Sequence, residues 1–352
     1  MMALFVAAEL TLAMSIPFLA IAGYHALLDS RAGRFVEQPN EHDPGWRALV
    51  DPSPLTAVVE TDRGEITGIG LLAGTVSGGM GGTIILVPGA VLVDGEPLSA
   101  RLPADAVAAL SGALRLRVNA IEHVDTLRWS AILGDKTYEV ANPDPVLDEL
   151  GQPLLSVGPM LVGGDNAALF LGRTAPGADP VTLLFRRRLF WSALLADPPE
   201  SQSPDSADPL LAAIDAVVGS SARVVDLPLL GERDAPLLDL EATEALVRDV
   251  VAVPAGAHPG DRLQVRVIDR TGVADLTAIA AEVASTGSEV VEIGNAPEFD
   301  GGLTHLVVPN GLDDPGIGEL ALLTGATTVQ DDDVDVDAVV TLLIGADFIA
   351  SR

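Results

Sequence analysis

Apolar and polar positions alternate with different periods along the chain, and the periods predict its elements. Leu55 to Glu60 and Glu65 to Leu72 are β-rich runs flanking Thr61-Asp62-Arg63-Gly64, a sequence suited to a tight hairpin turn. A glycine-rich loop, Gly74 to Gly82, leads into the apolar run Thr83 to Val87, which Pro88 ends. An unbroken apolar strand suits a sheet covered on both faces. Pro103 to Leu114 has helical spacing with proline in its first turn, Val118 to Val124 reads as a strand, and Val181 to Phe185 is strand-like. Leu210 to Val218 and Leu238 to Val251 are helical again. The order β-β-β-α-β with helices after it predicts an α/β sandwich around a central sheet. Residues 197–209 are a polar, proline-rich break, and the domain boundary is expected near Pro254 to Pro259.

From Asp261 the pattern is cleaner. Leu263, Val265 and Val267 alternate with Gln264 and Arg266, as in a half-buried strand. Leu276, Ile279, Ala280 and Val283 fall on one helix face, and Gly287 supplies a stop. Strands at Glu289 to Ile293 and Leu303 to Val308, a helix at Ile317 to Leu323 and a strand at Ala338 to Ile344 follow. The result is a small β-α-β-β-α-β domain.

The start of the chain differs. Ala3 to Gly23 is apolar apart from Glu9, long enough for a bilayer core of about 30 Å at 1.5 Å per helical residue. A transmembrane anchor is the expectation. A buried core helix is one alternative; a cleaved signal peptide is another, although no basic residue precedes the run. Arg31 and Arg34 follow the span, and the positive-inside rule would leave the bulk of the chain cytoplasmic.

Charge narrows the function. Fifty acidic residues against twenty basic ones give a net charge of −30, which argues against nucleic-acid binding, since phosphate affinity depends on Lys and Arg. Cysteine is absent, which excludes disulfides, thiolate catalysis and thiolate metal sites. No G-x-S-x-G, H-E-x-x-H or Walker lysine motif occurs. Two G-x-G-x-x-A strings, Gly68 to Ala73 and Gly316 to Ala321, lack the strand–turn–helix context of a dinucleotide site. The acidic run Asp331 to Asp337 has Val336 and Leu342 where a calcium loop needs Gly and Glu, and the five histidines are scattered. No metal site is expected from either. One basic cluster stands out in so acidic a chain. Arg186, Arg187 and Arg188 suit a phosphate by residue type, but also a solvated surface, and successive helical residues would point about 100° apart.

Taken together, the chain resembles the LytR-CpsA-Psr (LCP) family. Val265 to Leu276, V-R-V-I-D-R-T-G-V-A-D-L, is similar to the V-x-V-x-N-G-(S/T)-G-x-A-G-L opening of the LytR C-terminal module, with Asp269 and Asp275 in place of Asn and Gly. V-V-E-I-G-N-A (Val290 to Ala296) and L-I-G-A-D-F (Leu343 to Phe348) fit the same module. The resemblance implies an anchor over residues 1–30, a tether over 31–54, an LCP-like domain over 55–256 and a LytR C-terminal-type domain over 260–349. It also implies a bulk of the chain outside the membrane, against the charge rule; the family expectation is preferred here.

The family's S-I-P-R-D motif, whose Arg and Asp help hold a polyprenyl pyrophosphate and its magnesium, has its counterpart in Leu86 to Ala90, L-V-P-G-A. Gly89 and Ala90 stand where the two charged residues would be. Ser53 to Thr56 is the counterpart of the S-D-T element without its Asp, and Arg186 to Arg188 that of the arginine-rich R-x-x-R-Q stretch. Transfer of a lipid-linked glycopolymer to peptidoglycan needs cations around the pyrophosphate and carboxylates around the metal. The expectation is therefore a non-catalytic domain that binds or scaffolds a polyprenyl-linked glycopolymer or peptidoglycan, with no cofactor. An active phosphotransferase with Mg²⁺ that uses Arg186 to Arg188, or an envelope-linked regulator of attenuator type, are the alternatives.

Overall fold

In a computed structural model the described residues are 40–74, 82–148, 150–173, 180–199, 208–218, 222–231, 235–331 and 339–352. The expected anchor, the first part of the tether, the glycine-rich loop at 75–81 and the acidic run at 332–338 lie outside them. Among the described residues no helix is long and apolar enough to cross a membrane.

A short strand, β1 (Arg47–Leu49), precedes the hairpin of β2 (Leu55–Asp62) and β3 (Glu65–Ala73). Asp62 pairs with Glu65, leaving a two-residue turn of Arg63 and Gly64, both at positive φ, the geometry that matches the twist of paired strands. β4 (Thr83–Pro88) runs antiparallel beside β3. Helix α1 (Pro103–Leu114) then leads to β5 (Ala120–Val124), parallel to β2. Next come α2 (Thr126–Leu133), the antiparallel pair β6 (Thr137–Asn142) and β7 (Gly158–Gly163), α3 (Ala167–Gly172), α4 (Pro180–Ala196) and α5 (Pro209–Val217). β8 (Arg223–Asp226) completes a five-stranded sheet in the order β8-β4-β3-β2-β5, and α6 (Leu240–Val250) closes the domain.

This sheet is buried on both faces, which is why β4 reads as an unbroken apolar run. Val58, Leu72, Ile84 and Leu86 face α2, α3, α4 and α5 around Trp129, Phe190 and Trp191. Ala57, Val59, Ile69, Leu71, Ile85 and Val87 face α1 and α6. Val181 to Phe185, expected as a strand, is instead the first part of α4. Its β-branched start is overridden because Arg187, Phe190, Trp191 and Leu194 recur at i, i+3, i+4 and i+7 and bury together against the sheet.

The C-terminal domain carries β9 (Gln264–Asp269), α7 (Leu276–Ala284), β10 (Glu289–Asn295), β11 (His305–Pro309), α8 (Pro315–Thr324), β12 (Thr327–Asp331), β13 (Val340–Ile344) and α9 (Ala346–Ala350). The β-α-β-β-α-β order is present with β12 inserted, in a sheet of order β1-β10-β9-β13-β11-β12. Residues 47–49 of the expected tether are therefore a strand of this second sheet: β1 pairs antiparallel with β10, and Arg47 forms an ion pair with Glu292 at 2.8 Å. The two family departures have local work. Asp269 accepts from the Thr271 N–H, the Thr271 hydroxyl and the Ala274 N–H, and Asp275 caps α7 through the Ala278 N–H.

Candidate functional site

Strand register sets the site. Glu60 lies opposite Gly68, and Gly68 opposite Pro88, so the ends of β2 and β4 come together across β3. The Glu60 carboxylate points to the α4 side and is 2% exposed. Arg187, fully buried, donates from Nε to Glu60 Oε2 at 2.7 Å and from Nη1 to the Val87 carbonyl at 2.8 Å. Trp191 Nε1 donates to Glu60 Oε1 at 2.8 Å. Both carboxylate oxygens are thus engaged within the core. Gly68 of the first G-x-G-x-x-A string makes the room: a Cβ there would fall on the Arg187 guanidinium, whereas one at Gly70 would make only ordinary contacts. Gly68 thus accommodates the Arg187 side chain.

The three consecutive arginines take three different neighbours. Arg186 is also fully buried; its Nη1 donates to the carbonyls of Arg173 (2.5 Å) and Phe170 (3.5 Å) and its Nη2 to that of Asp144 (3.2 Å). It satisfies the free carbonyls at the end of α3. Burial lowers its affinity for its proton, with Asp144 opposing. Arg188 is at the surface and pairs with Asp226. The structure does not bring the three guanidiniums to one point.

A second pair, missed at the sequence level, stands beside the first. Arg173, just past α3, donates to Asp62 Oδ2 from Nε at 3.0 Å and from Nη2 at 2.8 Å. Its partner follows Glu60 by two positions on β2, and both side chains keep about a fifth of their surface exposed, 20% for Arg173 and 17% for Asp62. The signal was available in Glu60-Thr61-Asp62, two carboxylates closing an otherwise apolar strand. Thr61 between them hydrogen-bonds His123 Nε2 at 2.9 Å.

Ser53 to Thr56 does not belong to this cluster. The Ser53 hydroxyl accepts from the Val253 N–H at 3.0 Å, and Thr56 lies at the start of β2, opposite Leu72 and away from Pro88. At the end of β4, Gly89 is sterically fixed: a Cβ there would collide with the Ile66 carbonyl oxygen. The residues do not fit a magnesium ion, which needs several oxygen ligands in octahedral array. Glu60 spends both oxygens on Arg187 and Trp191, and Asp62 faces Arg173. Among the described residues no group of three or more His, Asp and Glu gathers around a common point.

No family model matches the sequence, and no curated protein matches it. Solved structures that the chain is similar to include a LytR-Csp2A-Psr enzyme from Actinomyces oris, with 19% identity, a TM-score of 0.43, and coverage of 61% of this chain and 96% of that one. TagT of B. subtilis has 13% identity, a TM-score of 0.41 and coverage of 61% and 94%. The LytR-CPS2A-psr family protein YwtF (TagT) with bound octaprenyl pyrophosphate lipid has 13% identity, a TM-score of 0.40 and coverage of 62% and 96%.

Proposed function

We propose that this chain is a membrane-anchored cell-envelope protein whose LCP-like domain binds a polyprenyl-linked glycopolymer without transferring it. The observation that carries the reading is internal charge pairing at the end of β2 and β4. Arg187 is matched by Glu60 and Arg173 by Asp62, while Gly89 and Ala90 add no charge. A diphosphate arriving there would meet Arg173 already neutralised by Asp62, with Arg187 buried against Glu60 out of its reach. Phosphoryl transfer depends on donors aimed at developing negative charge, and donors held by internal carboxylates are not free for that task. Anchoring through residues 3–23, an extracytoplasmic bulk and the peptidoglycan partner are parts of the same proposal, resting on the apolar N-terminal run and the family resemblance.

A second reading draws on the partial exposure of the Asp62–Arg173 pair. If a ligand displaces Asp62, Arg173 is released for phosphate, and the domain is an active transferase at rest. Octaprenyl pyrophosphate, the lipid bound in one similar structure, is the first ligand to test. Detergent-solubilised full chain is expected to bind it saturably; Arg173→Ala leaves the affinity unchanged on the first reading and weakens it about tenfold on the second, the worth of one charge-assisted hydrogen bond. Absence of saturable binding overturns the proposal. A separate reporter fused after residue 352, active only outside the cytoplasm, tests the orientation.

A further inference from the structure

A cleft of about 550 Å³ lies between the two domains, away from the paired carboxylates of β2. One wall is the end of α1 and a face of α6; the other is the loop before β9, the turn before β10 and the first turn of α8. Its volume is that of a small-molecule site.

The lining carries charges of both signs, three guanidiniums (Arg115, Arg248, Arg262) and four carboxylates (Glu244, Asp261, Asp314, Glu319). The Arg262 side chain is 2% exposed, donates from Nε to the Arg115 carbonyl at 3.0 Å, and donates from Nη1 to the Gly287 carbonyl at 2.8 Å and to Glu244 Oε1 at 3.2 Å. Its Nη2 has no acceptor. Arg248 donates from Nη1 to Glu319 Oε1 at 2.9 Å, while its buried Nε stands 3.6 Å from Glu244 Oε1 without a hydrogen bond. The Thr243 hydroxyl, also buried, has no partner. Three residues lining one cleft thus each hold a buried donor without an acceptor, and buried donors left unmatched cost about 1–3 kcal/mol each.

Two of the four carboxylates, Asp261 and Asp314, accept from the backbone N–H groups of His258 and Gly316, which leaves Glu244 and Glu319 to the arginines. Arg262 and Arg248 share the Glu244 carboxylate, and the other acid on Arg248, Glu319, is half exposed and so weakly coupled. Burial pushes the Arg262 guanidinium down from its ordinary value, with Glu244 opposing. A further negative charge at this point would relieve that penalty.

We propose that the interdomain cleft binds a small molecule through an oxyanion, phosphate or carboxylate, held by Arg262, Arg248 and Thr243. The site is separate from the β2 cluster, and its test does not depend on the reading of that cluster. Full chain is titrated calorimetrically with inorganic phosphate and, separately, with glucuronate, each against sodium chloride of matched ionic strength. Saturable binding of either probe supports the proposal and assigns the oxyanion; binding of both assigns the shared chemistry. Thr243→Val and Arg248→Gln are each expected to weaken binding about tenfold, equivalent to 1.4 kcal/mol. Neither should unfold the chain, because the Thr243 hydroxyl makes no hydrogen bond and Arg248 is one third exposed. No saturable heat with either probe, or affinity unchanged in both variants, overturns it.

Discussion

Glu60→Gln removes the countercharge of Arg187 while leaving an oxygen acceptor for Trp191. The pair lies 2.7 Å apart with side chains 0% and 2% exposed, so water cannot replace the lost charge. Breaking a buried ion pair by changing one partner costs about 3–5 kcal/mol. That is a large share of the roughly 5–15 kcal/mol that holds a typical domain folded. Urea unfolding followed by tryptophan fluorescence is suited to the measurement, because Trp129 and Trp191 sit in the same core. With a slope of about 2–3 kcal/mol/M, the midpoint should fall by roughly 1–2.5 M. The double variant Glu60→Leu with Arg187→Met should recover most of the loss, since apolar replacement of a buried pair is often neutral or stabilising. A single-variant loss below about 1 kcal/mol, on the scale of exposed pairs, would refute the reasoning and leave Arg187 free to serve a ligand.

Other outcomes follow from the same geometry. Gly68→Ala places a Cβ on the Arg187 guanidinium and should destabilise the chain by about 1–3 kcal/mol in the same urea experiment. Gly89→Arg, which restores the family's charge, should lower the melting temperature through collision with the Ile66 carbonyl and should not produce transferase activity. Tyr138, whose hydroxyl donates to the Asp197 carbonyl at 3.0 Å, has its phenol pushed up to about 12 by burial and then by the Asp197 carboxylate. Its folded value lies above the unfolded one, so its contribution to stability is complete below about pH 10 and is lost as pH rises toward 12. Absorbance of phenolate should show one of the two tyrosines titrating near pH 12, and Tyr138→Phe should remove that step.

Much of the fold was legible in the sequence because its local signals agreed with its packing. Pro103 to Leu114 gave α1 from a proline start and apolar spacing, and the alternation around Val265 gave β9. Three features were not legible, each for a physical reason. β12 is an edge strand of mixed polarity, Thr327-Thr328-Val329-Gln330-Asp331, and needs no apolar face. β1 owes its conformation to pairing with β10, far away in sequence. The site was obscured because two arginines in α4 are buried. A period-based reading assigns charged residues to water, whereas Arg187 fills the space left by Gly68 and is neutralised by Glu60, 127 residues earlier.

The most direct test of binding without transfer is a reaction of the full chain with a polyprenyl-pyrophosphate glycan labelled in its sugar, a peptidoglycan acceptor and Mg²⁺. The account predicts that label stays on the lipid, bound to protein but never covalently joined to the acceptor. Label on the acceptor in amounts exceeding one per protein molecule, and lost in Arg173→Ala, would contradict it.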